Sequence, residues 1–358
     1  MRHFAWFGGK QRHEFAVDSA PSRCSPCLFM ELRKDPITRS WVITGDDPLE
    51  TLRSDSPCHF CADSPTKVQV IASTGPAGAW SSRAVVHPRP LYHIEGEPGR
   101  RGDGLYDCMH SVGAHEVLVE NPRHDRHLWN ASDEEIGHFL RLAAERILDL
   151  KRDPRIKYVS FFKDYGKNAG QEFTHPTSQI TATLFVPRRV LYELRAGREY
   201  FVGKERCVFC DIIQQEERQA QRVIEARGDY VALGPYAPRV PYETWILPRN
   251  HEASFERTGL NKPGLRVNLA AILRRTLQRI RSQTEEFHLV LHTSPSAIHP
   301  LKNLGYWKTI DEDYHWHIEI LPVLSSAKAK SYTFKEVYYS PVSSETAVKQ
   351  LREAKIDG

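Results

Sequence analysis

Several things are scarce in this 358-residue chain, and each scarcity removes a class of protein. No run of 18 apolar residues occurs, which leaves no candidate for a membrane-spanning helix. No apolar core followed by small residues marks the first 29 positions as a secretory leader. No tract is low in complexity, and 21 glycines and 23 prolines are ordinary counts, so collagen-like and disordered classes drop out. One-sided charge is missing too: 49 basic against 45 acidic residues leave a formal +4, too mild for the basic stripe of a nucleic-acid binder. What remains is a globular chain, 40% apolar, long enough for about two domains and for a core that needs no disulfides.

The cysteines are the first positive signal. Six of the seven stand in three C-x-x-C pairs, Cys24/Cys27, Cys58/Cys61 and Cys207/Cys210. Without a leader such pairs read as metal or redox sites rather than disulfides. Cys58 and Cys61 follow the turn Asp55-Ser56-Pro57, which disfavours a thioredoxin-like helix start. Zinc is the better reading, and each pair then needs two further ligands.

Those ligands emerge from an internal repeat. PCHFC at 57–61 resembles CVFC at 207–210. EVLVENPRH ends at His124, and ETWILPRNH ends at His251. His175-Pro176-Thr177-Ser178-Gln179-Ile180 is matched by His315-Trp316-His317-Ile318-Glu319-Ile320. Three matches in the same order imply a duplicated fold. Each copy then offers two thiolates and two imidazoles: Cys58, Cys61, His124 and His175, and Cys207, Cys210, His251 and His315. Such a set makes a closed tetrahedral zinc site, structural because no position stays open for water.

Secondary structure follows the repeat. Ser132-Asp133-Glu134-Glu135 is a capping box, and Ile136, Phe139, Leu140, Ala143, Ile147 and Leu150 mark one helical face to about residue 152. KYVSFF at 157–162 and ITATLFV at 180–186 read as strands. The second copy repeats a helix over about 265–283 and then strands FHLVLHT and YHWHIEILPVL, with a last helix over about 343–354. This predicts an α+β fold with antiparallel sheets. The divisions expected are an extension over 1–29, a first half over 30–195 and a second over 196–358. Arg188-Arg189 and Arg274-Arg275 read as solvated faces.

On a strand, His315, His317 and Glu319 share one face, as do His175, Thr177 and Gln179. With the first of each triplet committed to zinc, the third points beside it, where an imidazole could take a nucleotidyl group.

These residues resemble the galactose-1-phosphate uridylyltransferase family of the histidine-triad superfamily. The likeness is carried by ELRKDPITRSWVI, PCHFC, GAHEVLVENPRH, GQEFTHPTSQI, CVFCDII, PYETWILPRNHEASF, YHWHIEILP and PVSSETAVKQLRE, and spans about 31–358. It implies two tandem histidine-triad-like halves, two zinc ions and a cytoplasmic homodimer. The implied substrates are a nucleotide sugar and a sugar phosphate. UMP or AMP would pass between them through a nucleotidyl-histidine, with no nucleic acid or membrane involved.

The departures from the family pattern fall at the site. Its nucleophile is the second His of H-P-H-S-Q, and here that position is Thr177, a poor nucleophile without an adjacent base. Asp164 replaces Asn in the F-K-N-x-G segment beside Lys163. Gly170 is followed by Gln171 and Glu172 instead of a small residue and Ser, and His87 stands where Asn is common. Candidate substrate contacts are therefore Asp164, Gly170, Glu172, His87 and Lys163, and candidate catalytic positions are Thr177, Gln179 and, alternatively, His317. Three readings stay open: a nucleotidyltransferase working without the usual nucleophile, a phosphosugar or nucleotide hydrolase with Asp164 or Glu172 as base, and a non-catalytic nucleotide-binding homologue.

Overall fold

The structure, a computed structural model, describes residues 30–45, 58–61, 64, 68–76, 79–260, 262–296, 305–324 and 337–356. The extension expected over 1–29, with Cys24 and Cys27, lies outside them. The first-half strands are β1 (Glu31–Lys34), β2 (Trp41–Thr44), β3 (Val70–Thr74), β4 (Ser82–Val86), β5 (Arg101–Asp103), β6 (Tyr106–His110), β7 (Gly113–Val119), β8 (Tyr158–Tyr165) and β9 (Thr177–Thr183). The second half adds β10 (Val223–Arg227), β11 (Tyr230–Leu233), β12 (Thr244–Pro248), β13 (Phe287–His292) and β14 (His317–Pro322). The helices are α1 (Asp133–Leu150), α2 (Arg188–Lys204), α3 (Val208–Gln219), α4 (Pro263–Arg281), the short α5 (Ile310–Asp313) and α6 (Ser344–Glu353).

Ten strands form one antiparallel sheet in the order β10-β11-β12-β14-β13-β8-β9-β7-β4-β3. Read inward from either edge, each half has the same topology: three strands in sequence, then the fifth, then the fourth at the junction. The expected duplication is thus a duplication of strand order. The fourth strands, β8 and β13, pair across the middle from Phe287↔Tyr165 to Leu291↔Phe161. A separate four-stranded sheet, β2-β1-β6-β5, was not legible in the sequence.

One face of the large sheet carries the core. Phe161, Ile180, Ala182, Leu289, Leu291, Ile318 and Ile320 point into a single apolar cluster with Phe139, Leu140, Ala143 and Ile147 of α1 and Leu269, Ile272, Leu273 and Leu277 of α4. The helical stripe predicted for α1 is therefore the buried one. Its start follows the capping box: Glu135 N–H donates to the Ser132 hydroxyl, and Ser132 N–H donates back to the Glu135 carboxylate at 2.8 Å. Pro263 opens α4 at a position where no helical N–H is required.

Three helices escaped the sequence reading, α2, α3 and the short α5. In α2 only Val190, Leu194 and Gly197 are buried, and arginines interrupt the stripe. It packs against α5, where a Cβ on Gly197 would sit 2.9 Å from the Asp313 carbonyl oxygen, so only glycine permits the approach. The expected boundary at 195/196 falls inside this helix. α3 begins at Cys207, so the second C-x-x-C pair opens a helix although the first lies in a turn.

Ser132→Ala should lower stability by about 1 kcal/mol, read as a lower urea midpoint at unchanged slope. An unmoved midpoint would show that the cap contributes nothing.

Candidate functional site

The sheet face opposite α1 and α4 is covered at both flanks and open in the middle. Over β4 and β7, Phe60 from the Cys58–Cys61 turn and Phe173 from the loop before β9 pack on Val85, Val117 and Val119. Over β11 and β12, Cys207, Phe209 and Ile213 of the α3 region pack on Val231, Leu233 and Leu247. Between these lids β8, β9 and β13 present Ser160, Phe162, Asp164, Thr177, Gln179, His288 and Val290, all half-buried. Period-2 alternation puts all seven on one face, and the half-buried stretch they form between the two lids, astride the junction of the two halves, is called the trough.

The four expected ligands of each cysteine-histidine set come together. In the first, Cys58 Sγ and Cys61 Sγ lie 3.5 and 3.6 Å from His175 Nδ1, and Cys61 Sγ lies 3.6 Å from His124 Nδ1. In the second, Cys210 Sγ is 3.4 Å from His251 Nδ1 and 3.6 Å from His315 Nδ1, with Cys207 Sγ 4.0 Å from His315 Nδ1. A tetrahedral zinc with ordinary Zn–S and Zn–N bonds would hold sulfur and nitrogen about 3.6 Å apart, so both sets fit the ion. The tautomers fit as well. His175 Nε2–H donates to the Asn121 carbonyl, and His315 and His251 Nε2–H to those of Pro248 and Asp311, which turns each Nδ1 lone pair to the thiolates. When bound, the first ion would tie the Cys58–Cys61 turn to the segments before α1 and β9.

Beside the first set, Gln179 is held from behind. Leu91 N–H donates to His115 Nδ1 at 3.1 Å, so the ring proton is on Nε2, which donates to Gln179 Oε1 at 2.8 Å. Burial, with His87 as a second cause, lowers the His115 pKa to about 4, and the ring is neutral. The Gln179 amide is thereby oriented with its NH2 group away from His115 and toward the Glu172 carboxylate, to which it donates at 3.4 Å. His87, 3% exposed, stacks on His115 at 3.9 Å. Its Nδ1 accepts from Arg89 N–H, and its Nε2 donates to Glu172 at 3.0 Å. Burial would raise the Glu172 pKa, but the His87 hydrogen bond and the nearby cations lower it, so this carboxylate is ionised. Gly170 takes a left-handed φ of 80° in the exposed loop leading to it. Lys163 lies on the opposite face, 2% exposed, where its ammonium donates to Glu120 at 2.8 Å and to the Thr177 carbonyl at 3.0 Å. It supports β9 from below and does not line the trough.

The equivalent place in the second half is sealed. His317 is 1% exposed and stacks on His292 at 4.7 Å. Glu193 of α2 meets His292 Nδ1 at 2.9 Å, and Glu319 meets His292 Nε2 at 3.3 Å. Arg189 pairs with both carboxylates, and Arg239 reaches Glu319 at 2.6 Å and Glu243 at 2.7 Å. Glu193, His292, His317 and Glu319 could between them ligate a cation, but here guanidinium groups and His292 supply the positive charge. Burial would lower the His292 pKa, yet Glu193 and then Glu319 raise it to about 9. Burial and then His292 lower that of His317 to about 4. Arg189 is itself exposed, as a solvated face requires, but Arg274, paired with Asp133, and Arg275, paired with Glu225, are half-buried. The partners of Arg274 and Arg275 lie far away in sequence, where spacing carries no signal.

A ten-stranded sheet of two like halves, each with a Cys2His2 cluster at the foot of its last strand, defines a tandem histidine-triad-like protein. No protein-family model matches the chain. It is 26% identical over 344 residues to an ADP-glucose phosphorylase of Arabidopsis thaliana, across 91% of this chain and 93% of the relative. It is 23% identical over 343 residues to a galactose-1-phosphate uridylyltransferase of Thermotoga maritima, across 92% and 100% of the two. Among solved structures it superposes on an ADP-glucose phosphorylase from Arabidopsis thaliana with bound ADP-glucose, with a TM-score of 0.71, 26% identity and coverage of 92% and 99%. It also matches a uridylyltransferase with a TM-score of 0.74, 25% identity and coverage of 90% and 98%. The chain is thus similar, over about nine tenths of its length, to enzymes named ADP-glucose phosphorylase and galactose-1-phosphate uridylyltransferase.

Arg239→Met would leave Glu243 and Glu319 short of their closest cation in a buried setting. It should cost about 3–5 kcal/mol in denaturant unfolding. A loss below about 1 kcal/mol would show that the network does not hold the second half closed.

Proposed function

We propose that the protein transfers a nucleoside monophosphate, UMP or AMP, between a nucleotide sugar and a phosphate acceptor, which is a sugar 1-phosphate or inorganic phosphate. The reaction is placed in the trough of the first half. The observation that carries the reading is the chain from Leu91 N–H through His115 to Gln179, which turns the Gln179 NH2 group to Glu172 at 3.4 Å and leaves its second N–H for a ligand. A pre-oriented NH2 group can hold a phosphoryl oxygen as charge builds on it, without reorganising. The phosphorylase and uridylyltransferase names of the relatives support this substrate class.

Thr177 serves in this reading as a hydrogen-bonding wall and not as a covalent carrier. Among the described residues no side chain hydrogen-bonds its hydroxyl, so no base activates it. His317 is excluded from contact with substrate by its burial. The hydrolase reading is weaker because the His87 hydrogen bond holds Glu172 ionised with a lowered pKa, which makes it a poor base for water.

Phosphorus NMR should show ADP-glucose plus phosphate giving ADP and glucose 1-phosphate, or UDP-glucose plus galactose 1-phosphate giving UDP-galactose and glucose 1-phosphate. Gln179→Ala should lower kcat about 100-fold, while Thr177→Val should keep it within the same order. Inertness toward both substrate pairs would overturn the reading.

Zinc belongs to the same proposal, as two structural ions per chain. Elemental analysis of protein purified without chelators should find both. Cys58→Ser and Cys207→Ser should each lose one and unfold more easily, because binding is coupled to folding. Zinc-free folded protein would refute the assignment.

A further inference from the structure

The trough contains an imidazole that the family pattern does not supply. His288 projects from β13 onto the open face, and its Nδ1 lies 2.6 Å from Asp164 Oδ1 on β8. A carboxylate can only accept from an imidazole, so the ring proton is on Nδ1 and the Nε2 lone pair is left outward. Among the described residues no group hydrogen-bonds that Nε2, and the side chain is 38% exposed. The other imidazoles around the first-half site are committed. His87 and His115 are buried with both nitrogens hydrogen-bonded, and His175 faces the thiolates.

The ladder places this pair beside Thr177. Phe162 of β8 is opposite Gln179 of β9. Asp164 lies two residues beyond the one and Thr177 two residues before the other, so both stand on the same face in neighbouring strands. His288 is opposite Asp164 on the far side. The row His288–Asp164–Thr177 therefore crosses three strands, with about 10 Å between its outer Cα atoms. A phosphorus atom held between these walls, with an oxygen on the Gln179 amide, lies within reach of His288 Nε2.

We infer that His288 is the nucleophile of this enzyme, oriented by Asp164, and that it replaces in function the imidazole lost at Thr177. The inference rests on the nucleotidyl-transfer reading above. In the first step the Nε2 lone pair attacks the α-phosphorus, a P–N bond forms, and the P–O bond to the sugar 1-phosphate breaks. The sugar 1-phosphate leaves with the bonding electrons, while the Nδ1 proton stays hydrogen-bonded to Asp164. In the second step an oxygen of the acceptor phosphate attacks the same phosphorus, and the P–N bond breaks to restore the lone pair. Asp164 is a positioning residue that fixes the orientation and tautomer of the ring.

The test uses the whole chain with UDP-glucose and ADP-glucose labelled with ³²P at the α-position and no acceptor. The expected result is an acid-labile, base-stable label on the peptide that contains His288. His288→Asn should lose the label and at least about 1000-fold in kcat, with zinc content and melting temperature unchanged because the side chain lies at an exposed face. Asp164→Asn keeps an acceptor for Nδ1–H and should retain more label and a higher kcat than Asp164→Leu, which leaves the ring unheld, with KM alike in the two. A purely structural Asp164 would change the melting temperature and leave the kcat of the two variants alike. Transfer that proceeds with no label at His288, or at the wild-type rate in His288→Asn, overturns this inference and leaves the proposed function standing. Hydrolysis lost in His288→Asn without any label makes His288 a base and also overturns it. A protein that turns over no nucleotide sugar removes the proposed function, and this inference falls with it.

Discussion

The pairing of β8 with β13 is the constraint on which the rest depends. Each half ends its own strand order on its fourth strand, and that strand has an unpaired edge until it meets its counterpart. An open edge of backbone donors and acceptors in mid-molecule would be costly, so the two halves complete one another as a single sheet. The junction has two consequences. It unites the helices α1 and α4 over one continuous core. It also places the open trough over the seam, where side chains of both halves face the same space, and this is why Asp164 of the first half can meet His288 of the second.

The halves share a plan and have taken opposite chemistry at equivalent positions. Gln179 corresponds to Glu319 and Thr177 to His317 by the matched motifs. In the second half the acid and the imidazoles are buried beneath α2 and neutralised by Arg189 and Arg239. A buried carboxylate is tolerable only with such partners. In the first half the corresponding glutamine is uncharged and half-exposed, so the face stays open to a ligand. The zinc-type clusters stand at matching places in both, which fits a role in holding lids and strand ends rather than in chemistry.

Much of the architecture could be read in advance, because it rests on local signals. The capping box at Ser132 and the apolar stripe of α1 lie within a few turns of one another, and the repeat made the second half interpretable from the first. Both ligand sets were found from motif order alone, since zinc ligation demands fixed residue types. α2 was missed because its stripe is weak and its reason for existing, packing on α5 and covering Glu319, lies over a hundred residues away. Lys163 was misplaced because a strand alternates faces, and the sequence does not say which face is the core.

The sequence by itself determined the duplicated α+β plan, the two Cys2His2 sets and the threonine between His175 and Gln179, since each is a matter of residue type and order along the chain. Only the tertiary structure decided which half is open, that His317 is sealed in an ion-pair network, and that His115 holds Gln179. It alone brought His288 to Asp164. Those outcomes depend on strand register and on which long-range partner satisfies each buried charge. Neither leaves a periodic trace in the chain, because the partners are joined through space and not through neighbouring positions.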